Sequence, residues 1–388
     1  MSSSPSPPSP LFTPLSIGPH TLPHRLILAP LTRLRASPHT RIPSSFAPTY
    51  YAQRASTPGT LLITEGTFIS PRGAGLPLVP GLWTPAQLAA WKEVTTAVHA
   101  NHGIIFAQLA ACGRAADPTV LRDEFGEVEA IAPSPLSIDP ENPVKPREMS
   151  EEEIRAMIAD FATAAKNAVE VAGFDGVEIH AGSGYLVDQF TQSCSNERTD
   201  GWGGSVRKRA RFAVEVARAV TAAVGVERTG MKLSPWSEGL GMRMSDAETE
   251  EGFGHLIREL GGVGLAYLHL VEARVQVNFD DPAQSATLDF AVEAWAWTAP
   301  VLLAGGYTAE RAREMVERYR GRDVGIVFGR YFISNPDLVW RVREGVAFEG
   351  YDRKTFYRKG KTKEEGYTDY PFSREWVEKE EEKKGGAS

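Results

Sequence analysis

The sequence predicts an α/β fold: one (β/α)8 TIM barrel with a long insertion after its third strand and an irregular C-terminal tail. Three observations predict it. Short apolar runs recur along the 388 residues. Segments of helical periodicity separate them. No G-x-G-x-x-G follows the first run, since "GGVGLA" and "GSGYLV" both miss the spacing, so a doubly wound open sheet is the weaker reading.

The runs are "RLILAP" (25–30), "TLLITEG" (60–66), "GIIFAQLA" (103–110), "GVEIH" (176–180), "GMKLSP" (230–235), "AYLHLVE" (266–272), "VLLAGG" (301–306) and "VGIVFGR" (324–330). They are near-continuously apolar, as parallel strands buried on both faces require. "TPAQLAAWKEVTTAVHA" (84–100) is a periodic helix with Pro in its first turn. The helix after Ser150 opens with a capping box, Ser150 to Glu153, and closes on Gly173. "SVRKRARFAVEVARAVTAAVG" (205–225), capped by Ser205, and "TAERAREMVERYRG" (308–321) follow the same pattern.

Residues 11–350 therefore form the barrel. Residues 1–10, "MSSSPSPPSP", are Ser/Pro-rich and expected to be disordered, with neither the charged nor the apolar region of a secretory signal. Residues 111–149 interrupt the alternation, and an insertion of that length reads as a lid or binding loop. Residues 351–388 are an extension contributing to the rim of the site, ending in the frayed, charged "EKEEEKKGGAS".

Hydrophobic residues make up 42% of the chain and charged ones 23%, which suits a globular core. A net charge of −7 without a basic cluster argues against nucleic acid, and no apolar run reaches membrane-spanning length. Two distant cysteines, Cys112 and Cys194, make a disulfide framework a poor reading and the cytoplasm the expected compartment.

In such barrels chemistry gathers where strands run into the following loops. Those positions hold Thr32, Glu65, Gly66, Gln108, His180, Lys232, Glu272, Gly305, Gly306, Gly329 and Arg330. The last two runs end in glycines, one followed by arginine, where barrels often hold a phosphate. A phosphate there, Gln108 and Lys232 across the mouth, and no dinucleotide motif suggest non-covalent FMN. Gln can donate and accept at an isoalloxazine edge, and Lys232 can face the negative side of a reduced flavin. Lys232 as an aldolase-type Schiff-base lysine, or in a plain salt bridge at the rim, is the alternative.

"LAPLTRLRA" (28–36), "ITEGTFISP" (63–71), "AQL" (107–109), "VEIHAGSGYLVDQF" (177–190), "SNERTDGWGGSVRKRARF" (195–212), "HLVEAR" (269–274) and "GRYFISNPDLVWR" (329–341) resemble the Old Yellow Enzyme family of NAD(P)H- and FMN-dependent ene-reductases. The resemblance spans about Leu11 to Tyr370. It implies that Pro30, Leu31, Thr32, Gly66 and Gln108 line the flavin ring, Thr32 at O4. Lys232 stands for a basic residue, usually Arg, near N1, and Gly305, Gly306, Gly329 and Arg330 hold the phosphate. It further implies that His180 and Ser183 grip a substrate oxygen, that Tyr185 donates a proton, and that Tyr370 lies over the substrate. Ala110 stands where relatives carry a bulky tryptophan, implying a wider pocket, and Ser183 replaces the usual Asn or His. Ser183 is expected on the His180 side if its loop coils as a helical turn.

The implied reaction is reduction of the activated C=C bond of an electrophilic alkene, an α,β-unsaturated carbonyl or nitro compound, with NADPH or NADH as reductant. An isomerase or pathway-specific reductase on this scaffold, or a flavin-binding protein without turnover, are the alternatives. The expected assembly is a monomer or homodimer.

Overall fold

The structure, a computed structural model, describes residues 9–126, 129–139, 141, 144–274, 286–357 and 364–385. The disordered stretch expected at 1–10 lies outside these residues up to 8, and Pro10–Phe12 already forms a short 3-10 turn.

Each apolar run becomes a strand: β1 (Leu26–Leu28), β2 (Leu61–Ile63), β3 (Ile104–Ala110), β4 (Gly176–Ala181), β5 (Thr229–Leu233), β6 (Tyr267–Val271), β7 (Val301–Ala304) and β8 (Val324–Phe328). Neighbours pair in parallel in the order β2-β1-β8-β7-β6-β5-β4-β3, and β2 with β3 closes the barrel. The runs at 60–66 and 301–306 yield strands of three and four residues, and after Gly66 the chain pairs again with β3 through Thr67–Phe68.

A hairpin not anticipated from the sequence, Leu15–Ile17 with His20–Leu22, caps the bottom. Its Leu15, Ile17 and Leu22 pack with Ile27, Phe106, Tyr267 and Leu302 inside the barrel. That interior is tight. A Cβ on Gly325 would lie 2.6 Å from the Ile27 side chain, and one on Gly230 would lie 2.2 Å from the Tyr267 ring. The barrel interior is a packed core, not a pore.

Helix Pro85–Ala100 starts with a capping box from Thr84 to Gln87. Helix Glu151–Lys166 has the expected Ser150–Glu153 box, but it ends as a π-helical turn, Asn167–Val171, before Gly173 takes φ 76°. Ser205 stands at the start of helix Val206–Val224 without a capping bond from its side chain. Arg198, paired to Asp200 and donating to Pro133 and Met149 carbonyls, braces the loop before that helix. Within 111–149 the chain forms a helix, Pro118–Phe125, and a two-residue parallel ladder, Ile131–Ala132 on Arg147–Glu148.

The C-terminal extension is not a frayed end among its described residues. Helix Arg374–Gly385 closes it, and three arginines hold it to the barrel. Arg33 donates to the Phe356 and Gly366 carbonyls, Arg35 to those of Thr355 and Glu365, and Arg54 to Tyr367 as well as to Ile333 of the barrel. Tyr367 stacks on Tyr50 at 4.2 Å, with the Arg33 guanidinium near both rings. Its hydrophobic alternation is weak, so the sequence carried no strand or helix signal; the docking depends on carbonyls that no residue type announces. Arg33→Met should lower unfolding free energy in guanidinium by about 2–4 kcal/mol, from two lost charge-assisted bonds and stranded carbonyls, and the first proteolytic cuts should move into the extension. Unchanged stability and cutting pattern would contradict the clamp.

Candidate active site

Side chains alternate along β4, so Glu178 and His180 both point into the barrel while Val177 and Ile179 pack outward. The register sets Gln108 of β3 opposite Glu178, and Lys232 of β5 opposite both His180 and His269 of β6. Two polar layers result: Gln108 and Glu178 below, and His180, Lys232 and His269 above. Glu178 is fully buried. Its Oε1 accepts from Gln108 Nε2 at 2.7 Å, and its Oε2 lies 2.8 Å from His269 Nδ1 and 3.1 Å from the Tyr267 hydroxyl, which donates to it.

Burial alone would raise the Glu178 carboxyl; His269, Lys232 and the Gln108 bond more than offset this and hold it below the usual carboxylate range. Burial lowers Lys232, and Glu178 partly restores it. Burial, then the charge of Lys232 and the neighbouring His269, drive His180 well below an ordinary histidine. Burial also outweighs Glu178 at His269, which is a neutral ring donating from Nδ1. Glu178 is thus the anion and Lys232 the cation, between two neutral imidazoles. His180 Nδ1 is buried without a hydrogen-bond partner among the described residues. Such atoms are rare in folded proteins, and this one sits where a ligand can supply the partner.

The loop after β4 is not a helical turn. Ser183 (φ 56°) and Gly184 (φ 81°) both lie in the left-handed region. Ser183 N donates to Ser234 Oγ at 2.5 Å, and the Ser183 hydroxyl is 3.5 Å from the same oxygen. Ser183 therefore turns towards Ser234, and the structure shows no bond pairing it with His180: the left-handed backbone undoes the three-residue spacing on which the expected clamp relied.

Tyr185 does reach His180. It stands at the start of helix Leu186–Thr191, with ring centroids 5.0 Å apart and a 48° tilt. Its ring packs on a cluster containing Phe68, Ala110 and Cys112. Burial, with Cys112 and Tyr357 adding, pushes its phenol well above its ordinary value, so it stays protonated. Ala110, 3% exposed, is part of that wall. Tyr370, expected over the substrate, has its hydroxyl accepting from Asp352 N at 3.1 Å. Tyr357, half exposed, is a phenol of the extension that adds to the rise at Tyr185. The sequence reading missed it because nothing in "TFYRK" separates it from a surface tyrosine.

Pro30, Leu31 and Thr32 leave β1 half-buried, and Leu31 adjoins Gly329. A Cβ on Gly66 would lie 3.4 Å from Gln108 Oε1 and 3.6 Å from Ala110 Cβ, so these three adjoin. Below them Glu65 accepts from Arg33 N at 3.1 Å, and burial raises its carboxyl to about 7 despite Arg33 and Arg35.

Across the mouth, Gly306 takes φ 59°, and a Cβ there would fall 2.8 Å from one Arg274 nitrogen and 2.9 Å from one Arg330 nitrogen. Gly305 leaves room for the Glu272 carboxylate, which also accepts from Tyr307 and pairs with Arg274 and Arg311. Arg274, whose Nε donates to Gly305 O at 2.5 Å, was not among the sequence-predicted residues, although it ends the motif "HLVEAR". Two guanidiniums converging on a glycine cradle suit a phosphate; the Gln108 oxygen beside Gly66 and the Lys232 ammonium suit a flavin edge. The residues present fit FMN. Among the described residues no cluster could hold a metal ion, and no helix is long and apolar enough to cross a membrane.

Residues 10–349 match the model of the NADH:flavin oxidoreductase / NADH oxidase family. The chain is 52% identical over 367 residues to the chanoclavine-I aldehyde reductase fgaOx3 of Penicillium roqueforti, covering 94% of this chain and 97% of that protein. It is 50% identical over 378 residues to the NADP-dependent oxidoreductase lnbE of Aspergillus flavus, covering 95% and 98%. Among solved structures, morphinone reductase in complex with tetrahydroNAD superposes with a TM-score of 0.82 at 38% identity, covering 95% and 98%.

The raised Glu65 carboxyl has a stability consequence. Folding holds its proton above the unfolded pKa, so its contribution is full at acid pH and is lost as pH rises from about 4.5 to about 7. Relative to Glu65→Gln, the wild type should lose up to ~3 kcal/mol between pH 4.5 and 8. Denaturation midpoints of both proteins across that range check this, and a constant difference would contradict it.

Proposed function

The chain belongs to the NADH:flavin oxidoreductase / NADH oxidase family, the Old Yellow Enzyme group, whose cofactor is FMN and whose reductant is a nicotinamide; from this premise we propose that it reduces the activated C=C bond of an α,β-unsaturated carbonyl or nitro compound. The observation that carries the reading is the pairing of a buried, neutral, unpartnered imidazole with a protonated phenol 5.0 Å away at one strand end.

Gly306, Arg274 and Arg330 would hold the FMN phosphate, Gln108 and Lys232 its pyrimidine edge, and Pro30, Leu31, Thr32 and Gly66 its ring. The chemistry FMN would supply here when bound is a hydride, delivered to the β-carbon of the alkene. A neutral His180 donates one ring N–H to the substrate oxygen, polarising the alkene and stabilising the enolate charge that develops. Ser183, facing Ser234, leaves His180 as the main grip. Tyr185 gives its proton to the α-carbon; a phenol held protonated at neutral pH is available at every turnover. Ala110 leaves room beside Tyr185. The aldehyde reductase among the relatives supports an unsaturated aldehyde as one member of this class.

Tyr185→Phe removes one hydroxyl and little volume. Flavin reduction by NADPH should persist, while oxidation of reduced flavin by cyclohexenone falls ~10²–10⁴-fold. A nitroalkene should still oxidise the flavin and be released as nitronate, which is protonated in solution. His180→Ala should slow both oxidants and abolish the charge-transfer band with phenols. Stopped-flow traces check these outcomes; unchanged cyclohexenone turnover in Tyr185→Phe would reassign the acid.

A further inference from the structure

Glu178 lies below the mouth, fully buried, and three donors from two other strands close on it: Gln108 Nε2, His269 Nδ1 and the Tyr267 hydroxyl. A carboxylate can only accept. The amide nitrogen of Gln108 must therefore face it, and the amide oxygen is turned the other way, towards Gly66. Gln108 is 2% exposed, so water does not compete for this orientation.

We propose that Glu178 is a positioning residue for the flavin: it locks Gln108 with its oxygen towards the mouth, so that the chain accepts a hydrogen bond from the imide N–H of the isoalloxazine edge, and it is the counter-charge of Lys232 behind that edge. A flavin edge offers one N–H, at N3, between two carbonyls. An amide free to rotate could set its NH2 against that N–H, and the anion below removes the choice. Lys232 sits one layer up, paired in register with His180 and His269. Among the described groups around it, Glu178 is the one acid that acts on it. Losing that anion leaves the cation unbalanced near the flavin and favours the anionic reduced ring. The same network could serve the fold alone, and the test separates the two roles.

Apoprotein is titrated with FMN and with N3-methyl-FMN, which lacks the imide N–H. The wild type should prefer FMN. In Glu178→Gln the side chain carries both a donor and an acceptor, so with its oxygen towards His269 and Tyr267 its NH2 meets Gln108, and the orientation of Gln108 is no longer fixed. FMN binding should weaken about tenfold or more, binding of the N3-methyl analogue should change far less, and the preference should collapse. The exchange Glu178→Gln with Gln108→Glu restores an acceptor at position 108, and the preference should return. The midpoint potential of bound FMN should become more positive in the single variant and more negative than wild type in the exchange. A preference unchanged in Glu178→Gln, or not restored by the exchange, overturns the proposal. Should Glu178→Gln fail to fold, Gln108→Leu decides: a preference for FMN that survives it overturns the proposal equally. None of these readouts uses an alkene, so their failure is distinct from failure of the substrate assignment.

Discussion

One fully buried carboxylate, Glu178, joins the interior of the barrel to its mouth. A lone buried anion costs several kcal/mol, and it persists only when donors and a cation close on it. Here the donors come from β3 and β6 and the cation from β5, so four adjacent strands must keep their register for the charge to be tolerated. A one-residue slip of β4 would face Glu178 into the outer apolar layer. The requirement that keeps this charge satisfied also fixes the level at which His180 and Lys232 emerge.

The electrostatics of the mouth follow from that arrangement. With Glu178 ionised and Lys232 charged, burial keeps both imidazoles neutral, and a neutral imidazole grips an oxygen without demanding a counter-ion. The second charged centre, at Gly306, is separate. There Glu272 balances Arg274 and Arg311, and Arg274 and Arg330 converge on the glycine. The mouth therefore holds a single-cation end and a two-guanidinium end, matching a ligand with a mildly polar ring and a strongly anionic tail.

The barrel was legible because buried parallel strands are apolar on both faces, and runs such as "GIIFAQLA" and "GVEIH" have little other use. The family motifs carried His180, Tyr185, Gln108 and the glycines, and the structure brings His180 to Tyr185, and Gly306 to Arg330. What was not legible depends on backbone conformation or on carbonyl partners. Ser183 looks like a clamp residue in sequence, but a positive φ turns it to Ser234. Tyr370 reads as an aromatic of the site in sequence, and only the fold of the extension sets its hydroxyl against Asp352 N. The Arg33, Arg35 and Arg54 contacts are to main-chain oxygens, which every residue offers. The Glu178 network needed register, which the strand pattern alone does not give.

The most direct test of the account is a crystal structure of the FMN-loaded protein with a para-substituted phenol bound. The account predicts the phenol oxygen within hydrogen-bond distance of a His180 ring nitrogen, Tyr185 beside the ligand ring, and the flavin phosphate on Arg274 and Arg330. A phenol oxygen held by Lys232 or Tyr357, with His180 out of reach, would contradict it.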